Sequence, residues 1–540
     1  MVELRRRDKL LAFGGILTVL FLTSLNLTVV GTALPRIIAE LQGFNLYTWA
    51  FTAYSLTSTV SVPVYGKVSD IYGRKRVLLF GILLFSASSA LGGLAQDMLQ
   101  LVVVRALQGL GGGALTSMSF SAIGDIFTPR ERGAYQGFTG AVFGVSSVVG
   151  PLVGGLLTDT VGWRWVFFVN VPVALVALYV IWRFFPAPAA RSAGRIDVPG
   201  AVLLVLGVVP LLLALTWGGE TFAWTSAPEL GLLAGSALFL SAFLARQRRA
   251  PDPVLDLRLF SERTFSVATA SGFLTGAGMF GAIIYLPLFV QGVMSASAAE
   301  SGFALAPLML GMVGSSTVAG LVVTRTGRYK LLVLAGIAVM ILGFALASTM
   351  DASTPVALTV VYSALIGAGV GPTNSLFVLA VQNAFPPQRL GTVTSSTMFF
   401  RQMGGTLGVA VFGAIVAAST AAQVERSLPA ELAALPPAVV AEVATPDLLT
   451  NPRQLEATRD LMVSAAGPAA FDGFVTALRE ALAGALDRVF LAAAGLAAVS
   501  LALATRLPER ELRGSPRGGA PVTRAAAASR TPPPSSPSGA

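Results

Sequence analysis

The chain has 540 residues, of which 54% are hydrophobic and 12% charged, with 57 glycines and a net charge of +10. Water-soluble proteins carry about 25% charged residues, so this composition indicates a polytopic membrane protein and excludes soluble, fibrous and disulfide-rich classes. The sequence contains neither cysteine nor histidine, which excludes thiol nucleophiles, Ser-His hydrolysis, His/Cys zinc sites and histidine proton shuttles. Carboxylates, arginines, lysines and neutral polar groups must carry any chemistry.

Apolar runs predict fourteen membrane-spanning helices, because about 20 apolar residues are needed to cross the hydrocarbon core. They lie near residues 10–36, 48–68, 77–95, 99–123, 134–157, 165–186, 198–217, 228–245, 265–290, 299–324, 331–349, 356–382, 392–420 and 484–505. Most lysines and arginines fall on one side of the membrane when both termini are cytoplasmic, as the positive-inside rule requires. The net positive charge therefore does not indicate a nucleic-acid partner.

The pattern also predicts how the chain is divided. Residues 1–186 form an N-terminal six-helix half, residues 187–263 an inserted helix pair with a cytoplasmic linker, and residues 264–505 a C-terminal six-helix half. Within the second half, residues 421–483 are polar on average. Near their end, apolar residues recur at helical spacing, which predicts a partly helical extracytoplasmic segment. Residues 506–540 are rich in Gly, Pro, Ser and Ala, so we predict a disordered cytoplasmic tail.

A short loop sequence occurs twice. Residues 66–76 read GKVSDIYGRKR and residues 320–330 read GLVVTRTGRYK, at an offset of 254 residues. The segment PRERG at 129–133 is likewise similar to PQRLG at 387–391. Repeats on this length scale are typical of a transporter built from two halves, with a substrate site between them near the membrane midplane.

Further motifs follow in a fixed order along the spans. They are Gly66, Asp70, Gly73, Arg74 and Lys75 in the first repeated loop, Arg105, Gln108 and Gly109 in the fourth span, Gly144, Gly150, Pro151, Gly154 and Gly155 in the fifth, and Phe400, Arg401 and Gln402 in the thirteenth. Together they resemble the major facilitator superfamily, specifically its fourteen-helix drug/proton antiporter branch. The resemblance implies an all-α fold of two six-helix halves plus two inserted helices, and alternating access in a multidrug efflux-type transporter that is not an enzyme.

The first span departs from that branch. Where the branch has D-x-T-x-x-N-x-A-L-P, this sequence reads NLTVVGTALP from residue 26, so Asn26 replaces a carboxylate that is a leading candidate for proton coupling. Two hypotheses follow: a proton-driven exporter of amphipathic small molecules, or an exporter or flippase-like transporter of lipids or anionic metabolites with altered or no proton coupling. Neither needs a metal or cofactor besides the ion gradient. An ATP-driven pump is excluded because no G-x-x-x-x-G-K-[ST] loop is present.

Three groups of residues are candidates for the conformational and coupling machinery. The resemblance implies a conformational latch at Gly66, Asp70, Gly73 and Arg74 and a hinge at Gly144, Gly150, Pro151, Gly154 and Gly155, whereas Asn26, Thr28, Arg105, Gln108 and Arg401 are central polar candidates. Because helix N-termini attract anions, Asp70 is predicted to contact the start of the thirteenth span near residues 392–394. Arg105 and Arg401 either line an anion-tolerant cavity or bind backbone carbonyls, Asn26 or Gln108 structurally.

Aromatic and amide groups on the spans are candidates for substrate binding, since drug pockets combine apolar walls with a few polar anchors. They are Tyr54, Phe143, Phe273, Tyr285, Gln291, Asn374, Phe377 and Gln382. The expected partners are an amphipathic small molecule or lipid and the bilayer itself. We expect a monomeric, multi-pass protein of a bacterial inner membrane.

Overall fold

A computed structural model of the chain describes residues 5–41, 46–186, 194–218, 222–296, 298–427, 448–449 and 452–512. Sixteen α-helices make up nearly all of these residues. They are α1 (Arg6–Leu41), α2 (Tyr47–Tyr72), α3 (Arg74–Gly93), α4 (Met98–Ile126), α5 (Pro129–Thr160), α6 (Trp165–Phe168), α7 (Asn170–Phe184), α8 (Val198–Trp217), α9 (Ala227–Arg249), α10 (Arg263–Leu288), α11 (Ala298–Thr326), α12 (Lys330–Ala347), α13 (Val356–Ala384), α14 (Leu390–Ser427), α15 (Pro452–Ala466) and α16 (Pro468–Ala504).

Thirteen helical segments among the described residues are long and apolar enough to cross a membrane, with α6 and α7 together forming one of them. The second predicted span forms α2, which has 26 residues and is therefore about 39 Å long. Helix α2 is not among the thirteen segments, because serines, threonines and tyrosines make it less apolar. The count of fourteen spans and the cytoplasmic placement of the termini stay predictions.

The internal sequence repeat corresponds to a structural repeat. In the first half α1 packs on α5, and both α2 and α3 pack on α4; in the second half α10 packs on α14, and both α11 and α12 pack on α13. The halves meet where α2 packs on α14 and α5 packs on α11, two contacts that the repeat makes equivalent. Helices α8 and α9 pack on each other, and α8 also touches α2 and α14. The inserted pair therefore lies at the periphery.

Each half has its own apolar core. Phe85 and Phe120 are buried in the first core, and Phe344 and Phe412 in the second. Helix α14 is part of the second half but contacts both cores, because its Met398 packs in the first core whereas its Phe412 packs in the second. We call the end of the bundle that carries the loops after α2, α4, α9, α11 and α13 the basic end.

The carboxy-terminal segment that follows α16 packs back on the bundle over residues 507–512. We call residues 507–512 the strap: Tyr329 Oη donates to Pro508 O (2.7 Å), Asn383 Nδ2 donates to Glu511 O (3.2 Å), and Arg510 pairs with Glu262 (2.7 Å). Burial raises the pKa of Tyr329, which keeps its phenol protonated as a donor. The disorder predicted from residue 506 therefore does not hold for the strap. Residues 513–540 lie outside the described residues.

Beyond the opposite end of the bundle the structure contains a small helical lobe. Helix α14 extends to Ser427, and α16 begins at Pro468, well before the predicted span at 484. Helix α15 packs on this extension of α16, and Met462, Phe474 and Leu478 are buried between them. The predicted segment 421–483 is thus partly helical, as expected, although residues 428–447 and 450–451 lie outside the described part of the chain.

Candidate functional site

Asp70 joins the two halves at the basic end. It lies near the end of α2, is 7% exposed, and accepts hydrogen bonds from Gly391 N (2.9 Å), Thr392 N (2.8 Å) and Thr392 Oγ1 (2.7 Å). Because α14 begins at Leu390, the carboxylate caps the N-terminus of that helix, where backbone amides are unsatisfied and the helix dipole favours negative charge. The predicted contact between the two elements is present; its role as a gate stays a prediction.

Arg74 completes this basic-end contact. Gly73, with φ of 93°, adopts the left-handed region and lets α3 begin directly after α2. The Arg74 guanidinium then binds Asp70 (3.1 Å), both carboxylate oxygens of Asp125, and Pro387 O (3.3 Å). Sequence analysis did not identify Asp125, since no local motif marks an acidic residue near the end of α4 as a partner of α3.

Helices α5 and α11 approach closely at the same end. A Cβ atom on Gly320 would overlap the Gly133 carbonyl, and one on Gly137 would lie 2.7 Å from Thr317 Cα. Nearby, Gln136 Nε2 donates to Gln382 Oε1 (3.2 Å), and Gln382 Nε2 donates to the backbone of α4 and to the side chain of α14. Gln382, a substrate candidate, therefore takes part in the contact between the halves. The described structure is closed at its basic end.

The glycines of the α5 motif differ in what they contact. Side chains at Gly150 or Gly154 would overlap Thr28 or Thr32 on α1, whereas a side chain at Gly155 would meet no atom within 4 Å. Gly144 faces α11, and Pro151 is exposed on the outside of the bundle. Thr28 Oγ1 also donates to the α5 backbone at Ser146 O (3.2 Å). Gly150 and Gly154 thus allow α1 to pack closely on α5, whereas an added side chain at Gly155 would meet no neighbouring helix.

Asn26 lies in a buried polar cluster of the first half. Its side-chain oxygen accepts from Gln108 Nε2 (3.2 Å) and from Asn170 Nδ2 (3.5 Å), and Asn170 also donates to Ser89 Oγ (3.0 Å). Asn26 is fully buried. The cluster is neutral apart from Arg105, and Gln108 lies between Arg105 and Asn26. Asn26 and Arg105 are therefore connected through the side-chain amide of Gln108.

Arg105 is sealed inside the first half. Its Nε donates to Ala50 O (2.9 Å), its Nη1 donates to Gln108 Oε1 (2.7 Å), and the guanidinium lies 4.5 Å from the centre of the Tyr54 ring. Arg105 has no exposed surface, and Tyr54 is also buried. This geometry matches the structural alternative for Arg105, in which it binds a backbone carbonyl and Gln108.

We expect Arg105→Ala to destabilise the protein by about 3 kcal/mol, because it removes two charge-assisted hydrogen bonds, the contact with Tyr54 and a large buried side chain. The loss of stability is measured by thermal unfolding of the purified protein in detergent. Arg401→Ala is the comparison, since the Arg401 guanidinium makes no described hydrogen bond and its loss should lower the unfolding midpoint much less. Equal midpoints for the two variants would contradict a structural role for Arg105.

Arg401 has a different environment in the second half. It lines a cavity between α10, α13 and α14 together with Asn374 and Phe377, two of the substrate candidates. The walls also include Met279 and Met398, which sequence analysis did not single out. Arg401 is half-buried rather than sealed. No ion pair in the described part of the chain includes Arg401 or Arg105.

The other substrate candidates lie elsewhere. Phe143 packs against the cores of both halves, and Phe273 packs against the first core. Tyr285 is buried and its hydroxyl donates to Val409 O (2.9 Å), which joins α10 to α14. Gln291 lies in a π turn at residues 289–293, directly after Pro287 at the end of α10. None of these four lines the Arg401 cavity.

Comparison with known proteins identifies the family. The sequence profile of the Major Facilitator Superfamily matches residues 16–409. Two relatives from Bacillus subtilis (strain 168) are each 39% identical: the multidrug transporter protein MdtP, over 77% of this chain and 76% of its own, and multidrug resistance protein 3, over 74% and 78%.

Solved structures show the same fold. The human organic anion transporter MFSD10 matches with a TM-score of 0.58 at 17% identity, covering 92% of this chain and 99% of its own. The proton:xylose symporter XylE matches with a TM-score of 0.56 at 13% identity, covering 94% and 98%. The family and the relatives are transporters rather than enzymes, and the spans make this a multi-pass membrane protein. The resemblance found in the motifs is confirmed: the chain belongs to the major facilitator superfamily.

Proposed function

We propose that this protein exports amphipathic small molecules across the cytoplasmic membrane of a bacterium by alternating access, driven by the proton gradient. The observation that carries the proposal is a bundle closed at its basic end by Asp70, with a partly exposed cavity inside the second half. The 39% identity to two multidrug proteins of Bacillus subtilis supports drug-like substrates. If the termini are cytoplasmic, as predicted, the described arrangement is the one closed toward the cytoplasm.

Closure at the basic end supports alternating access, because hydrogen bonds and close helix contacts between the halves can break and form again. Asp70 and Arg74 reach α14 and its preceding loop through hydrogen bonds, and Gly133, Gly137 and Gly320 let the backbones of α5 and α11 approach closely at this end. Such interfaces can separate and re-form without unfolding a core. The two halves, each with its own core, would then rock about the midplane.

Asn26 motivates a second candidate function. An amide cannot bind and release a proton in the physiological range, so the proposed coupling needs another carboxylate, such as Asp70 or Glu300. The alternative is export or flipping of lipids or anionic metabolites with altered or no proton coupling. Asn26 favours this alternative because it is a neutral group in place of a carboxylate, and Arg401 favours it because this interior cation makes no ion pair among the described residues.

Proton movement in proteoliposomes tests the proposal. A pH-sensitive dye is enclosed in the vesicles, and cationic dyes, anionic compounds and labelled lipids are added in turn. Substrate-dependent proton flux supports the proposed antiport. Substrate movement without proton flux supports the alternative, and the absence of movement for every substrate, compared with empty vesicles, would contradict both.

Asn26→Asp should increase proton-coupled efflux. The new carboxylate would lie one amide away from the buried Arg105 guanidinium, in a site that water does not reach, so its protonation would respond to the local charge. The measurement is the ratio of proton flux to substrate flux at several pH values. Asn170→Asp, in the same cluster, serves as the matched control. Unchanged flux and pH dependence in Asn26→Asp would show that position 26 does not limit coupling.

A further inference from the structure

We propose that Arg401 determines substrate charge: its guanidinium binds a carboxylate, sulfonate or phosphate group on the exported molecule. This inference rests on the proposed export function and specifies the substrate class as amphipathic organic anions. It depends on the contrast between two arginines that occupy the interior of the same bundle, and on the cavity that only one of them faces.

The environment of Arg105 explains that residue without a ligand. Its guanidinium has a carbonyl, an amide oxygen and an aromatic ring as partners, and it has no exposed surface. Arg401 has none of these compensations. Within the described residues its guanidinium makes no hydrogen bond, ring contact or ion pair, yet it is half-buried and lines a cavity. The same residue type therefore serves two different purposes in the two halves.

Arg401 lies well inside its predicted span at residues 392–420. It follows Leu390, the first residue of α14, by 11 positions, and it is therefore roughly 16 Å from the basic end at about 1.5 Å per residue. The hydrocarbon core is about 30 Å thick, so this depth is close to the midplane. Asn374 precedes the last residue of α13, Ala384, by 10 positions, which places it at a similar depth of roughly 15 Å. A charge at this depth is costly and normally serves a function.

The chemistry of the cavity fits an organic anion. A guanidinium presents N–H donors in a planar fork that matches the oxygens of carboxylate and phosphate groups. The Asn374 side-chain oxygen is buried without a described partner, and the NH₂ group of the same carboxamide is a donor that an anion can accept from. In the described arrangement the cavity has room for about one water molecule, so the bundle must open before Met279, Phe377 and Met398 can supply apolar surface for the remainder of the molecule. Among the described residues no carboxylate lines the cavity to attract a cationic drug.

The test uses a matched pair of fluorescent dyes in proteoliposomes: one carries a free carboxylate, and the other is its methyl ester. We expect the wild-type protein to transport the carboxylate dye faster, and Arg401→Gln to lower carboxylate transport at least about tenfold, which is the effect of losing charge-assisted hydrogen bonds. Transport of the ester should change little. Arg401→Lys, which keeps the charge but loses the planar fork, should retain part of the preference for the carboxylate.

Arg488→Gln is the control for net charge, because Arg488 is exposed on α16 and distant in sequence from the cavity helices. It should transport both dyes as the wild type does. If the wild type transports the ester and a cationic dye but not the carboxylate, or if Arg401→Gln leaves the preference unchanged, the inference is overturned while export itself stands. If the wild type moves none of the dyes, the proposed function fails instead.

Discussion

Asp70→Asn is expected to weaken closure of the basic end and to lower the rate of transport at least about tenfold. The carboxylate accepts three hydrogen bonds from Gly391 and Thr392 and pairs with Arg74, so an amide would lose both the charge and some of these bonds. Removing one partner of a buried ion pair costs about 3–5 kcal/mol, because the other charge is left unpaired. Here Arg74 keeps its ion pair with Asp125, which limits the loss of folding stability.

The effect of Asp70→Asn on closure can be measured directly. The chain has no cysteine, so single cysteines at Tyr72 and Thr326, both exposed at the basic end on opposite halves, can carry spin labels. We expect a longer distance between the labels in Asp70→Asn than in the parent protein. Asp252→Asn is the control, since it removes the 3.7 Å pair with Lys67 and alters the acceptor of the Arg195 N hydrogen bond (3.1 Å) at a more exposed position that makes no described contact with α14. A latch role for Asp70 is refuted if both variants give the parent distance and rate.

Gly320→Ala is expected to lower the rate of transport about as much as Asp70→Asn, but for a purely steric reason. A methyl group at this position would overlap the carbonyl of Gly133 and lie 3.1 Å from Ala134 Cα, and backbone atoms cannot rotate away as a side chain can. Helices α5 and α11 would then be held apart at the basic end. We expect slow transport, a longer distance between the labels at Tyr72 and Thr326, and little loss of folding stability.

Gly314→Ala provides the matched control for Gly320→Ala. Gly314 lies on the same helix and is exposed, and an added Cβ would meet no atom within 4 Å. Because alanine favours the helix over glycine, this variant should be as stable as the parent or slightly more so, with unchanged transport. Normal transport by Gly320→Ala would show that α5 and α11 need not approach this closely during the cycle.

Much of the architecture follows from the sequence because it depends on short-range patterns. Apolar runs gave the helices, and the repeat at 66–76 and 320–330 indicated two related halves, which the packing of α2 on α4 and α11 on α13 reproduces. The contact of Asp70 with α14 was also predictable, since an acidic residue and a helix N-terminus at the same membrane face attract each other.

The interior of the halves was less predictable, because it depends on which face each helix presents. The depth of Arg105 and Arg401 in their spans was evident, but their different partners were not. Arg105 meets a carbonyl at Ala50, 55 residues earlier, and no local motif specifies such a contact. The ordered strap was missed for a similar reason: Pro508 and Glu511 contribute backbone oxygens, which any sequence provides, to Tyr329 and Asn383.

The strap also determines which parts of the second half can move separately. Its described hydrogen bonds reach Glu262, the linker residue that caps α10, Tyr329 before α12 and Asn383 near the end of α13. The start of α10, the start of α12 and the end of α13 are thereby bound to one short segment, and we expect these helix ends to move together as a rigid unit. An opening at the basic end would then form along the seam between the halves, and the three helix ends bound to the strap would move together on one side of that seam.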